Sequence, residues 1–192
     1  MTWGPEMLEI VQEPVVAWTL RSFLAVLFAS AALSKLTAID EFHGVVRNFR
    51  LLPDALARPV AMVLPVVELA VAAGLLIGPL ARPAALMAAV LLAVFGLAIA
   101  INVQRGRSQI DCGCFRNGMK QRISWATVGR NVVLTALALG AGALMATGRA
   151  AGPGEIATGL VAGLTLTLLY LGAEMLGGLV AMNNRASSTK GR

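Results

Sequence analysis

Five runs of roughly twenty apolar residues, at 15–33, 60–80, 84–103, 128–147 and 156–182, leave this chain few ways to fold. At about 1.5 Å of rise per residue, a helix of that length crosses a hydrocarbon layer about 30 Å thick. Lipid offers a backbone no water to bond to, so each run must be a helix, and the apolar/polar alternation of barrel strands is absent. Only 14% of the 192 residues are charged and 57% are hydrophobic, too little polar surface to cover a water-soluble globule. Small residues recur inside the runs, at 70–74 and at Gly140 and Gly142, which lets helices approach closely. The sequence therefore predicts an all-α polytopic transmembrane bundle. It forms one domain over 1–182, a four-helix core plus a fifth helix, followed by a polar, disordered tail at 183–192.

Glu6, Glu9 and Glu13 precede the first basic residue, Arg21. A secretory signal begins with a basic region, so the first apolar run is expected to stay as an anchor. The net charge of +6 is spread over several loops without a nucleic-acid-binding pattern, and no nucleic acid partner is expected. Membrane topology accounts for it instead. Lys35, Arg47, Arg50, Arg58, then Arg105, Arg107, Arg116, Lys120, Arg122, then Arg185, Lys190 and Arg192 fall on one side of the bundle, leaving the other with Arg82, Arg149 and Arg21. The excess of Lys and Arg marks the cytoplasmic side, with the N-terminus outside and the C-terminus inside.

The longest polar loop, 104–124, holds the only two cysteines, as Asp111-Cys112-Gly113-Cys114. A disulfide there would close too short a loop to staple a fold. Cysteines at i and i+2 bridge only where the backbone turns sharply, which Gly113 tolerates. Strain in so small a ring favours exchange over permanence. Arg116, Lys120 and Arg122 favour the thiolate, and Asp111 opposes them. Redox exchange, metal handling and an incidental pair all remain open. Against a metal, the rest of the chain offers only His43, on another loop, where zinc would need about four ligands.

Ionisable side chains inside a membrane need partners or a role. Glu68 is read as about two turns into the second helix, after Pro65; Lys35 and Ser34 close the first, Asn102 ends the third, Arg130 and Asn131 begin the fourth, and Glu174 lies within the fifth. Helix directions put all of these in the membrane half nearer the cysteines. Either a salt bridge, of Glu68 with Arg130 or Lys35, or a polar cavity beneath the thiols accounts for them. Between the first two runs, 38–52 has the spacing of an amphipathic surface helix carrying His43 at the interface.

Ser34-Lys35, Phe42, Leu51-Leu52-Pro53, Leu64-Pro65 with Glu68, Asp111-Cys112-Gly113-Cys114-Phe115, and Ile123-Ser124-Trp125 with Arg130-Asn131 resemble, in that order, the MauE family of methylamine-utilisation membrane proteins, related to the DoxX-like proteins. The resemblance implies a multi-pass protein of the bacterial inner membrane that helps mature methylamine dehydrogenase, a periplasmic enzyme whose small subunit is dense in disulfides. It implies a thioredoxin-like, MauD-type partner, Cys112 and Cys114 as the redox pair, and Asp111, Gly113, Glu68, Arg130, Asn131 and Lys35 in support, with no cofactor or metal. Arg116 stands where members of the family often have glycine. A non-catalytic scaffold or export aid for the same enzyme is the alternative; a transporter lacks the expected inverted repeat. The charge distribution predicts that Cys112 and Cys114, once reduced, resist a membrane-impermeant thiol reagent in intact cells and react after lysis. Labelling of intact cells would instead put the pair on the periplasmic side with the client enzyme.

Overall fold

The computed structural model describes residues 14–107, 123–147 and 150–190, with the side chains of 147 and 177–190 excepted. Among the described residues the chain is helical throughout its ordered elements, without strands: α1 (Pro14–Leu36), α2 (Ile39–Phe49), α3 (Asp54–Leu76), α4 (Gly78–Gln104), α5 (Trp125–Thr147) and α6 (Pro153–Lys190). All except α2 contain a stretch long and apolar enough to cross a membrane. The five predicted spans are therefore present, and the protein is a multi-pass helical bundle.

Several boundaries move from where hydropathy set them. Pro53, extended at φ −57° and ψ 145°, ends the preceding turn, so α3 starts at Asp54 rather than residue 60. Ile77 alone is extended between α3 and α4. Gly78 opens α4 and Pro79 follows in its first turn, where a backbone N–H would have no intrahelical partner. The fourth span starts at Trp125 and the fifth at Pro153, each three residues earlier than hydropathy set it. At the other end, α6 keeps a helical backbone to Lys190, past Asn183, where the polar tail had been expected to leave the helix.

Packing orders the helices as α6, α1, α3, α4, α5, each lying along the next, with α5 also touching α1. The core is built from bulky residues of α1 set against small ones. Phe23, Leu24, Leu27 and Phe28 are buried against Ala85, Ala88, Ala89 and Leu92 of α4 and Ala138 and Ala141 of α5. Lipid removes the hydrophobic drive between helices, so close van der Waals contact must hold them together. Outward faces carry Leu97, Val132, Val161 and Leu169, each more than 60% exposed, a coat suited to hydrocarbon and not to water. The amphipathic segment forms α2, which buries only Phe42 and packs on the start of α3.

The outermost helix, α6, lies along α1 through Gly159 and Gly163, a small-xxx-small pair. A Cβ at Gly159 would run into Trp18, and one at Gly163 into Ser22 Oγ and the Thr19 carbonyl. Ser22 Oγ lies 3.0 Å from the Gly159 carbonyl oxygen and 2.8 Å from that of Trp18 in its own helix, so its single proton can tie the two helices or fold back. Gly163→Leu is expected to cost about 1–3 kcal/mol through overpacking. Gly140, with open space around its Cβ position, should accept alanine with a change below about 0.5 kcal/mol. Unfolding in mixed detergent micelles measures both.

Candidate functional site

The cysteine-bearing segment leaves α4 and enters α5 at two defined ends. At the first, the N–H of Arg107 donates to the Asn102 carbonyl and that of Gly106 to the Val103 carbonyl, both at 3.0 Å, with Gly106 at φ +71°. This is a Schellman termination, and the left-handed position is one that glycine takes without strain. At the second, Ser124 heads α5: its Oγ accepts from the Thr127 N–H at 3.4 Å and its carbonyl from the Val128 N–H at 3.2 Å. Ile123, 1% exposed, packs with Ile99 of α4, and Phe49 of α2, Val103 and Val128 close over them. Asp111, Cys112, Gly113 and Cys114 lie outside the described residues.

Below these ends, the other predicted supporting residues come together. Lys35, Glu68, Arg130 and Asn131 line one cavity, with Leu27, Phe28, Phe95 and Tyr170 among its other walls. Of the two partners weighed for Glu68, the structure selects Lys35: its Nζ donates to both carboxylate oxygens at 2.8 and 2.9 Å and lies 3.4 Å from the Ala31 carbonyl. Both side chains are at most 4% exposed. The reason is directional. Side chains on a helix slant toward its N-terminus, so the amine of Lys35, the last residue but one of α1, reaches back one turn into the bundle. The longer α3 puts Glu68 fourteen residues beyond Asp54, deeper than the two turns read from hydropathy. Arg130 turns instead to α6, where Nη1 meets Glu174 Oε2 at 2.9 Å. Asn131 is buried and donates to the Thr127 carbonyl at 2.9 Å.

His43 lies apart, beside Asp40 and Arg58 in a depression between α2 and α3. Arg21, read from sequence only as a charge near a helix end, is 7% exposed. Its Nε donates to the Leu75 carbonyl at 2.8 Å and its guanidinium lies 3.7 Å above the Trp18 ring. It thus satisfies one of the carbonyls left open at the end of α3, a role that residue type alone did not signal. The Gly159/Gly163 spacing was a legible packing signal that the small residues at 70–74, Gly140 and Gly142 had overshadowed.

Two charges taken out of water repay their desolvation only while both are present. Glu68→Gln leaves the Lys35 ammonium buried without a counter-charge and is expected to cost about 3–5 kcal/mol. The volume-matched Lys35→Met, Glu68→Met double variant should recover most of that loss, because it buries no charge. Reversible unfolding in detergent gives both values; equal destabilisation in the single and double variants would refute the ion-pair account.

The comparisons with known proteins agree with this architecture. The family model described as "Methylamine utilisation protein MauE" matches residues 13–146. Curated relatives named methylamine utilization protein MauE are 68% identical in Paracoccus versutus and 58% in Paracoccus denitrificans, each over 186 residues, covering 97% of this chain and 100% of the relative. The relative of that name in Methylorubrum extorquens is 51% identical over 186 residues, 96% of this chain and 100% of its own length. No solved structure matches. The matched stretch takes in α1 to α5 nearly whole, and the relatives extend the likeness over α6. The chain belongs to the MauE family of methylamine utilisation proteins.

Proposed function

We propose that this protein is a maturation factor of the bacterial inner membrane for methylamine dehydrogenase. It exchanges disulfides through Cys112 and Cys114 with a thioredoxin-like, MauD-type partner while the small subunit of the enzyme acquires its own disulfides. The observation that carries this reading is a lone Cys-Gly-Cys pair on the segment joining two closely packed membrane helices of a MauE-family chain. Methylamine utilisation is the role printed for its relatives, and a disulfide-rich client is the chemistry that such a pair serves.

The step balances without a further reagent. The thiolate of one cysteine attacks a sulfur of the partner's disulfide, releasing one partner thiolate and leaving a mixed disulfide. The second cysteine attacks its neighbour's sulfur in that bond, which closes the Cys112–Cys114 bridge and frees the reduced partner. Run in reverse, the same two displacements oxidise the partner. Glu68 with Lys35 and Arg130 with Glu174 shape the polar floor of the bundle in the half where the pair is tethered. Asp111 acts on the pair through its charge, and Gly113 through the backbone freedom of a residue without a Cβ.

The test is replacement of both cysteines by serine in a host making methylamine dehydrogenase. Membrane insertion is expected to be unchanged, because both cysteines lie outside the five apolar spans, and mature dehydrogenase should fall to the level of cells lacking the protein. Full maturation in the double variant would overturn the redox role and favour a scaffold that holds the maturation machinery at the membrane.

A further inference from the structure

The elbow that joins α2 to α3 carries a surface that suits neither water nor hydrocarbon. Arg50 ends α2 in the left-handed region, at φ 49° and ψ 40°, and the chain enters the next helix at Asp54. Along this elbow Leu51, Leu52 and Leu56 are 37%, 41% and 49% exposed. Arg47, Arg50 and Arg58, among them in sequence, are exposed as well. A cluster of exposed leucines is out of place in bulk water, and three arginines are out of place among acyl chains. The head-group layer of a bilayer accommodates both. Leucine reaches down to the chains there, and the long arginine stem carries its guanidinium to the phosphates.

The elbow is also short of anions. Arg47 comes no closer than 3.8 Å to Asp54, and the two side chains are 58% and 87% exposed, a contact too long to be a hydrogen bond. Arg58 shares a depression with Asp40 and His43, and neither it nor Arg50 enters an ion pair among the described residues. Phe49, the last residue of α2, packs over Val103, so Arg105 and Arg107, which follow α4, lie at the same end of the bundle. Five arginines there stand against Asp40, Glu41 and Asp54. A guanidinium offers a planar fork of donors that matches two oxygens of a phosphate. A zwitterionic head group would add an ammonium to this positive rim, whereas an anionic one brings only the charge that the rim lacks.

We infer that the elbow between α2 and α3 binds an anionic phospholipid of the leaflet at that end of the bundle. Its phosphate oxygens accept from Arg50 and Arg58, and Leu51, Leu52 and Leu56 lie against its acyl chains. Phe49, next to Arg50, closes over Ile99 of α4 and Ile123 at the entry to α5, so an occupied elbow steadies three helices at once. This inference is independent of the thiol reading above.

The full-length protein in mild detergent is titrated with dioleoylphosphatidylglycerol, and bound lipid is counted by native mass spectrometry. Phosphatidylglycerol is expected to bind at least about fivefold more tightly than phosphatidylethanolamine with the same chains. Arg50→Gln combined with Arg58→Gln should weaken it about 25-fold, at about fivefold for each cation beside a phosphate. Arg82→Gln removes an exposed arginine near the start of α4, at the opposite end of the bundle, and should leave binding unchanged. Leu51→Asn combined with Leu52→Asn keeps every charge and should also weaken binding, which a site for free phosphate would not show. A thermal melt in the same detergent checks the fold of each variant. Phosphatidylglycerol should raise the midpoint for the unmodified protein and for Arg82→Gln, and not for the Arg50, Arg58 variant. Equal binding of the two lipids, or equal weakening by Arg82→Gln, would reduce the effect to overall charge and overturn the site. Binding of polyglutamate in preference to phosphatidylglycerol would assign the elbow to an acidic protein and overturn the lipid.

Discussion

Inside a bilayer a backbone N–H or C=O without a partner costs several kcal/mol, and no water is present to supply one. That constraint makes each apolar run of this chain a helix before any tertiary contact exists. It also sets the next problem, because lipid is as apolar as the side chains and does not drive helices together. The solution here is steric. α4 presents alanine after alanine, at positions 84, 85, 88 and 89, to the phenylalanines and leucines of α1 and to the small face of α5. α6 is held to α1 by two glycines at which any Cβ would collide with the facing helix.

Against this dry background the charged residues stand out. An isolated ion in the bundle would be prohibitive, and each of the two membrane-embedded carboxylates, Glu68 and Glu174, is joined to a cation on a neighbouring helix. Burial of the Lys35–Glu68 pair is nearly complete, whereas Arg130 and Glu174 are 14% and 26% exposed. The first pair locks α1 to α3, which already pack along each other. The second spans α5 and α6, which do not. Apolar residues of similar volume could often replace a buried pair with no loss of stability, so stability alone does not explain why charges stand here. What the structure adds is their grouping around one cavity that all five spanning helices line.

Number and approximate position of the spanning helices were legible because both depend on a sum over twenty residues, which single exceptions barely disturb. Ends were less so. Pro53 and Ile77 moved two of them by several residues, since a helix stops where backbone angles change and hydropathy does not register that. The family resemblance was readable from short motifs in order, and the matched model covers the same region and more. Helix direction led to the expectation that Lys35, Glu68, Arg130 and Asn131 lie near one another, and they line one cavity. Their partners were not legible, because a span carries no record of its rotation about its own axis. Arg21 shows the same limit: in sequence it is one more cation near an end, and only the approach of α3 makes its guanidinium a cap for the Leu75 carbonyl.

By itself, then, the sequence determined that this protein is a membrane-spanning helical bundle with a lone thiol pair on a polar segment. Solvent and span length permit nothing else, and two cysteines one residue apart are a local fact. Tertiary structure decided which charge meets which, that α6 lies outside α1 on two glycines, and that all five spanning helices line one cavity. Those outcomes rest on helix rotation and lateral order, which arise only when several surfaces are fitted together at once.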